Sequence, residues 1–162
     1  MAHDIRAVRY DAPDPQILAA EVQVEYARRY GGTGDISPME ADHFAPPRGA
    51  FFVLYVDDVP AAMGGWRRGG PNGDDDAEIK RMYVRPEFQR RGLARAMLAH
   101  LELMAVADGI TRFVLETGTA QPEAIALYRS SGYADVASFG FYAAYDDSVH
   151  LGKTLSGTAE TP

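Results

Sequence analysis

The chain has 162 residues, 46% of them hydrophobic, 24% charged and none cysteine, the proportions of one globular domain and not of a disordered or fibrous chain. Folding at this length buries roughly 70% of the unfolded surface, so no metal or disulfide staple is needed, and without cysteine there is no thiolate metal site or thiol nucleophile. Lys and Arg total 16 against 23 Asp and Glu, a net charge of −7, which disfavours nucleic acid and favours a cationic partner. No stretch approaches 18 apolar residues and residues 1–10 hold no apolar signal core, so a soluble, cytoplasmic protein without a membrane partner is expected.

Residues 5–10 read as a short strand. Residues 13–30 read as a helix, with Ile17, Leu18, Val22 and Tyr26 at helical spacing and Gly31-Gly32 ending it. Ser37-Pro38-Met39-Glu40 has the form of a capping box and predicts a short helix to Phe44, stopped by Pro46-Pro47. A hairpin follows: an apolar run at 51–56, a turn at Asp57-Asp58, and a return over 59–66. Residues 69–76 are a loop by composition, 77–84 a strand, and 92–107 a helix with Met97, Leu98, Leu101 and Ala105 on one face. Residues 110–117 read as a strand, 122–131 as a helix with proline at its start and Gly132 past its end, and 133–138 and 148–155 as two last strands. One domain over 1–155 is expected, with a polar tail at 156–162.

The segment Gln89-Arg90-Arg91-Gly92-Leu93-Ala94-Arg95 stands between a strand and a helix. Amides at a helix start have no intrahelical partner, and the helix dipole adds positive potential, so such a loop suits a phosphate. Gly92 permits close main-chain approach and three arginines add charge; a solvated, helix-capping basic loop is the other reading. His3, His43, His100 and His150 show no ligand spacing, and no metal is expected. No Gly-x-Ser-x-Gly elbow occurs, which with the missing cysteine leaves a covalent acyl-enzyme little support.

The Gln-Arg-Arg-Gly-Leu-Ala run resembles the Q/R-x-x-G-x-G/A signature of the GNAT N-acyltransferase superfamily. Residues 77–84 followed by Arg-Pro resemble the family's fourth strand, 113–117 its fifth, and Ala124-Ile-Ala-Leu-Tyr-Arg-Ser-Ser-Gly-Tyr133 its A-x-x-L-Y-x-x-x-G-[FY] helix. The resemblance implies an α/β fold with a mixed, mostly antiparallel sheet of six to seven strands, splayed between the fourth and fifth and flanked by about four helices. It implies acetyl-CoA as co-substrate, with Met82, Tyr83 and Val84 along the pantetheine arm and the thioester carbonyl, and the amides of Gln89, Arg90, Arg91, Gly92, Leu93, Ala94 and Arg95 on the pyrophosphate.

By the same resemblance Tyr128 protonates the departing thiolate, or else is a core aromatic. Glu78 deprotonates the incoming amine, or else is a strand glutamate paired with Lys80 or an arginine. Where the family commonly has asparagine before this helix the chain has Gln121, which puts a cap or coenzyme contact there in question. The first two helices flank the acceptor in this family, leaving Tyr26, Tyr30, Phe44 and Trp66 between acceptor wall and core. The implied activity is direct acetyl transfer to the primary amine of a small molecule. A non-catalytic acyl-CoA-binding module and a protein or peptide acetyltransferase are the alternatives. Relatives often dimerise through the last strands, and the apolar run Phe139-Gly-Phe-Tyr142 would suit a homodimer.

Overall fold

The computed structural model describes residues 2–155; the tail expected at 156–162 lies outside them. Seven strands form one sheet in the order β1-β2-β3-β4-β5-β7-β6: β1 (His3–Ala7), β2 (Gly49–Val56), β3 (Val59–Arg68), β4 (Asp76–Val84), β5 (Arg112–Gly118), β6 (Ala134–Asp135) and β7 (Ser148–Thr154). Every neighbouring pair is antiparallel except β4 and β5. Three α-helices flank the sheet: α1 (Pro13–Tyr30), α2 (Leu93–Ala107) and α3 (Pro122–Ser130).

The two faces carry separate cores. Leu18, Ala19 and Val22 of α1 cover Phe51, Val53, Tyr55 and Met63, with Phe44 closing the edge. On the other face Met97, Leu98, Leu101 and Ala105 of α2 and Tyr128 of α3 cover Leu54, Trp66, Ile79, Phe113 and Leu115. Strands β2 and β5 are therefore buried on both sides, which is why they read as apolar runs without alternation.

Two expectations change. The helix expected from Ser37 is only a 3-10 turn over Ala41–Phe44. Ser37 does not cap it; its hydroxyl donates to Asp35 and accepts from Lys80 Nζ at 2.8 Å, so a tertiary network outcompetes the capping box. The strand expected over 133–138 shrinks to Ala134–Asp135; its pairing with β7 ends at Val136 N, which donates to His150 O.

Only Asp76, Ala77 and Glu78 of β4 pair with β5, opposite Arg112, Phe113 and Val114. Beyond Glu78 the strands part. Gly65 pairs with Lys80 but Met63 pairs with Tyr83, so two residues of β4, Arg81 and Met82, stand opposite the single residue Gly64. This bulge puts Arg81 in the left-handed region at φ 61° and bends the strand away. A Cβ on Gly64 would lie 2.8 Å from Met82 Sδ, so glycine opposite the bulge leaves room for the Met82 side chain.

Leu101 is fully buried at the centre of the α2 face. Leu101→Ala removes about 2–5 kcal/mol of stability, to be read as a lower urea midpoint at unchanged denaturant dependence.

Candidate active site

Where β4 and β5 part, a cleft of about 270 Å³ opens. Residues 79–82 of β4 and 115–118 of β5 form its two walls, Tyr26 and Tyr30 of α1 its roof, and Ala124 and Tyr128 of α3 its far end. Tyr142 and Tyr145, from the 136–147 segment, stand at its mouth. Arg29 ties α1 across the opening, donating to Ala120 O at 2.8 Å and pairing with Glu123 at 2.6 Å. Tyr30 lies so close to β5 that a Cβ on Gly118 would overlap its hydroxyl; glycine is required there by close approach.

One carboxylate organises the cleft wall formed by β4 and the connection after α1. Asp35 Oδ1 accepts from the Ser37 amide at 2.8 Å, the Ser37 hydroxyl at 2.6 Å and the Tyr142 hydroxyl at 2.5 Å. Its Oδ2 takes Lys80 Nζ at 3.2 Å and Arg81 Nη1. Burial alone would raise the Asp35 pKa, but Lys80, Arg81 and the hydroxyl donors hold it well below the ordinary carboxylate range. Arg81 is buried too, and its Nε has no hydrogen-bond partner among the described residues.

A second carboxylate has the opposite environment. Glu116 of β5 lines the cleft and accepts from the Ser148 hydroxyl at 2.9 Å. Burial raises its pKa against the lowering effects of Ser148 and Lys80, while Asp35 and Glu78 add to the rise. No ion pair of Glu116 occurs among the described residues. Tyr128 is buried with its ring edge-on to Tyr133, centroids 5.6 Å apart. Its hydroxyl pKa is raised, first by burial and then by Tyr26, and it takes no hydrogen bond among the described residues. Tyr26, also in the cleft, is pushed up to about 12 by burial.

Of the residues singled out in the sequence, Met82, Gln121 and Tyr128 line this cleft. Glu78 does not: its Oε1 accepts Arg67 Nε and Nη2 at 3.1 and 3.0 Å, and it borders a separate depression with Arg67, Arg68, Phe139 and Gly140. Tyr83 turns to α1, its hydroxyl donating to Glu21 at 3.3 Å, and Val84 O accepts Gln89 Nε2 at 3.1 Å. Gln121 caps nothing on α3; its amide donates to the Tyr30 hydroxyl at 3.2 Å.

The 89–95 loop turns by left-handed residues at Arg90 (φ 64°) and Gly92 (φ 77°), and Gly92 begins α2 with no side-chain cap. The first amides of α2 thus lack intrahelical partners, and the positive end of the helix faces outward. Arg91 donates to Glu87 O, and Arg95 reaches Ser130 and Ser131 of the α3 end at 3.1 and 3.2 Å. Phe44 and Trp66 are core, Tyr26 and Tyr30 cleft wall. Phe139 stacks edge-on against His150 while Phe141 and Tyr145 stay exposed. Asp35, Lys80, Arg81, Glu116 and Tyr142 were not singled out in the sequence. Glu116 had a signal, a carboxylate inside the apolar run Phe-Val-Leu-Glu.

A mostly antiparallel sheet that parts beside a strand–loop–helix anion site is an acyltransferase architecture. Residues 19–133 match the acetyltransferase (GNAT) family, and the chain belongs to that family. It is 33% identical over 138 residues to the IAA acetyltransferase of Azospirillum brasilense, covering 82% of this chain and 88% of the relative. Among solved structures it superposes on an acyl-CoA N-acyltransferase of Klebsiella pneumoniae with a TM-score of 0.78 at 23% identity, covering 95% and 98% of the two chains. It superposes on the ribosomal-protein-S18-alanine N-acetyltransferase of Escherichia coli with a TM-score of 0.66 at 21% identity, covering 99% of each. Among the described residues no helix is long and apolar enough to cross a membrane, and no group of side chains could hold a metal.

The Asp35 cluster sets a pH dependence. A carboxylate whose pKa is depressed by folding contributes stability above its unfolded value, lost as pH falls through the folded one. Asp35→Asn, which leaves Lys80 and Arg81 buried without their anion, therefore lowers stability by about 3–5 kcal/mol at pH 7. The gap to wild type narrows below about pH 3.9, as thermal melts across pH would show.

Proposed function

We propose that the protein transfers an acetyl group from acetyl-CoA directly to a primary amine of a small molecule, with Glu116 as general base and Tyr128 as general acid. The observation that carries this is the pairing, in one cleft, of a desolvated carboxylate with a buried phenol, the first free of ion pairs and the second of hydrogen bonds among the described residues. Glu78 already holds Arg67 and borders another depression, so the reading assigns proton removal to Glu116 and leaves Glu78 to anchor Arg67.

The amides of residues 90–95 suit the pyrophosphate of acetyl-CoA. The cleft-facing edge of β4 beyond Glu78, unpaired with β5, suits the pantetheine arm, and a main-chain amide near Met82 suits the thioester oxygen. Glu116 takes a proton from the acceptor ammonium, so that the nitrogen lone pair can attack the carbonyl carbon. The new C–N bond forms as the C–S bond breaks, and Tyr128 gives its proton to the thiolate. The acylated nitrogen, still cationic after attack, gives its second proton to the Tyr128 phenolate, directly or through water, and Glu116 returns its proton to solvent, leaving a neutral amide and free coenzyme. A phenol of raised pKa stays protonated at neutral pH, as a proton donor must.

Thiol release from acetyl-CoA that depends on an added amine tests the reaction, and its absence with every amine and peptide offered would sink it. Tyr128→Phe is expected to lower kcat by 10²–10⁴; a value within threefold of wild type removes the acid role. Because burial raises the Glu116 pKa above its ordinary 4.5, the acid limb of kcat/KM falls at higher pH than an exposed glutamate gives. Glu116→Gln should abolish that limb along with most of the rate.

A further inference from the structure

The acceptor side of the cleft contains more donors than acceptors. Asp35 is saturated: five hydrogen bonds reach its two oxygens, so it has no lone pair left for an incoming ammonium. The two cations it serves are not saturated. Lys80 Nζ gives two of its three protons, to Asp35 and Ser37. Arg81 Nε is buried with no partner among the described residues, and the Arg81 side chain is only 4% exposed. Both cations are hydrogen-bonded to the single carboxylate of Asp35, while Glu116 acts on Lys80 only through space, and in a water-poor wall an unmet donor is costly. On the facing strand Glu116 offers the complement, since Ser148 occupies only Oε2 and Oε1 remains to accept.

Unmet donors on β4 and an unmet acceptor on β5, across one cleft of about 270 Å³, match a molecule bearing an anion and an ammonium close together. Asp147, the remaining acid of the lining, is exposed at the mouth and is balanced by water. Tyr26, Tyr30, Tyr142 and Tyr145 surround the space left for a substituent.

Resting on the acetyltransferase reading above, we propose that the acceptor is a free α-amino acid: Lys80, backed by the charge of Arg81, holds its carboxylate, and Glu116 receives its ammonium. The bonds made and broken are those already given, with the α-nitrogen acylated. A peptide N-terminus fits poorly, because its α-carbonyl is a neutral amide and leaves Lys80 unanswered.

The test measures thiol release from acetyl-CoA with each of the twenty L-amino acids and with the α-carboxamide of each, the same molecule without its anion. A charge-assisted hydrogen bond contributes about 1.5–3 kcal/mol, so the preferred amino acid is expected to exceed its carboxamide by about 10–100-fold in kcat/KM, mostly through KM. Lys80→Met should bring that ratio to about one, and Lys80→Arg should keep it above one; the wild-type ratio stands by itself if either variant fails to fold. Equal or better turnover of the carboxamides, or of peptides, overturns the proposal. So does the absence of release with all twenty amino acids while acetyl-CoA still raises the melting temperature, an outcome that spares the acetyltransferase reading. If acetyl-CoA neither reacts nor shifts the melt, that reading falls first and the proposal with it.

Discussion

The left-handed backbone of Arg81 is the constraint on which the cleft depends. A non-glycine residue held there costs on the order of 1–3 kcal/mol and persists only where its surroundings over-determine it. Here they do: the guanidinium is buried against Asp35, and Asp35 is fixed by Ser37, Lys80 and Tyr142. The extra residue turns two consecutive side chains, Lys80 and Arg81, toward α1 and carries the β4 backbone away from β5. Without the bulge β4 could continue its parallel ladder past Glu78 and the cleft would close. Stability and opening are therefore set by one cluster, which joins the α1–β2 connection, β4 and the segment before β7.

That cluster also reconciles the charge of the whole with that of its parts. A chain of net −7 draws cations over long range, yet fields at contact distance are decided by the nearest groups and by how little water screens them. At the α2 start, arginines and helix amides make a positive surface. In the cleft wall, Lys80 and Arg81 both donate to the one carboxylate of Asp35. Overall composition therefore describes the approach of a ligand and says little about what is held once water is excluded.

Much of this was legible in the sequence because it follows from local rules. The apolar face of α2, the Pro–Gly bracketing of α3, the hairpin turn at Asp57-Asp58 and the 89–95 loop each lie within a dozen residues and obey periodicity or capping. The rest depends on partners far apart in the chain. Ser37 looks like a cap until Lys80, 43 residues away, claims its hydroxyl. Tyr142 reaches Asp35 across 107 residues, a contact that no window reveals. The bulge did leave a mark: Lys80-Arg81 interrupts the alternation of β4, and two adjacent charges that are both buried indicate a slip of period.

Glu78 and Glu116 show why residue type alone does not assign a proton acceptor. Both are glutamates on neighbouring strands of one sheet, and each is only partly exposed. Glu78 faces Arg67, whose Nε and Nη2 both donate to Oε1 and occupy that oxygen. Glu116 sits two residues beyond Val114, the partner of Glu78, where the strands have parted and no guanidinium reaches it. Burial there works against the charge, and the Ser148 hydroxyl and the more distant Lys80 offset it only in part. A carboxylate held charged against its surroundings gains by taking a proton. The splay of β4 from β5 thus opens the cleft and leaves Glu116 without an ion pair among the described residues, the environment on which the base role proposed above rests.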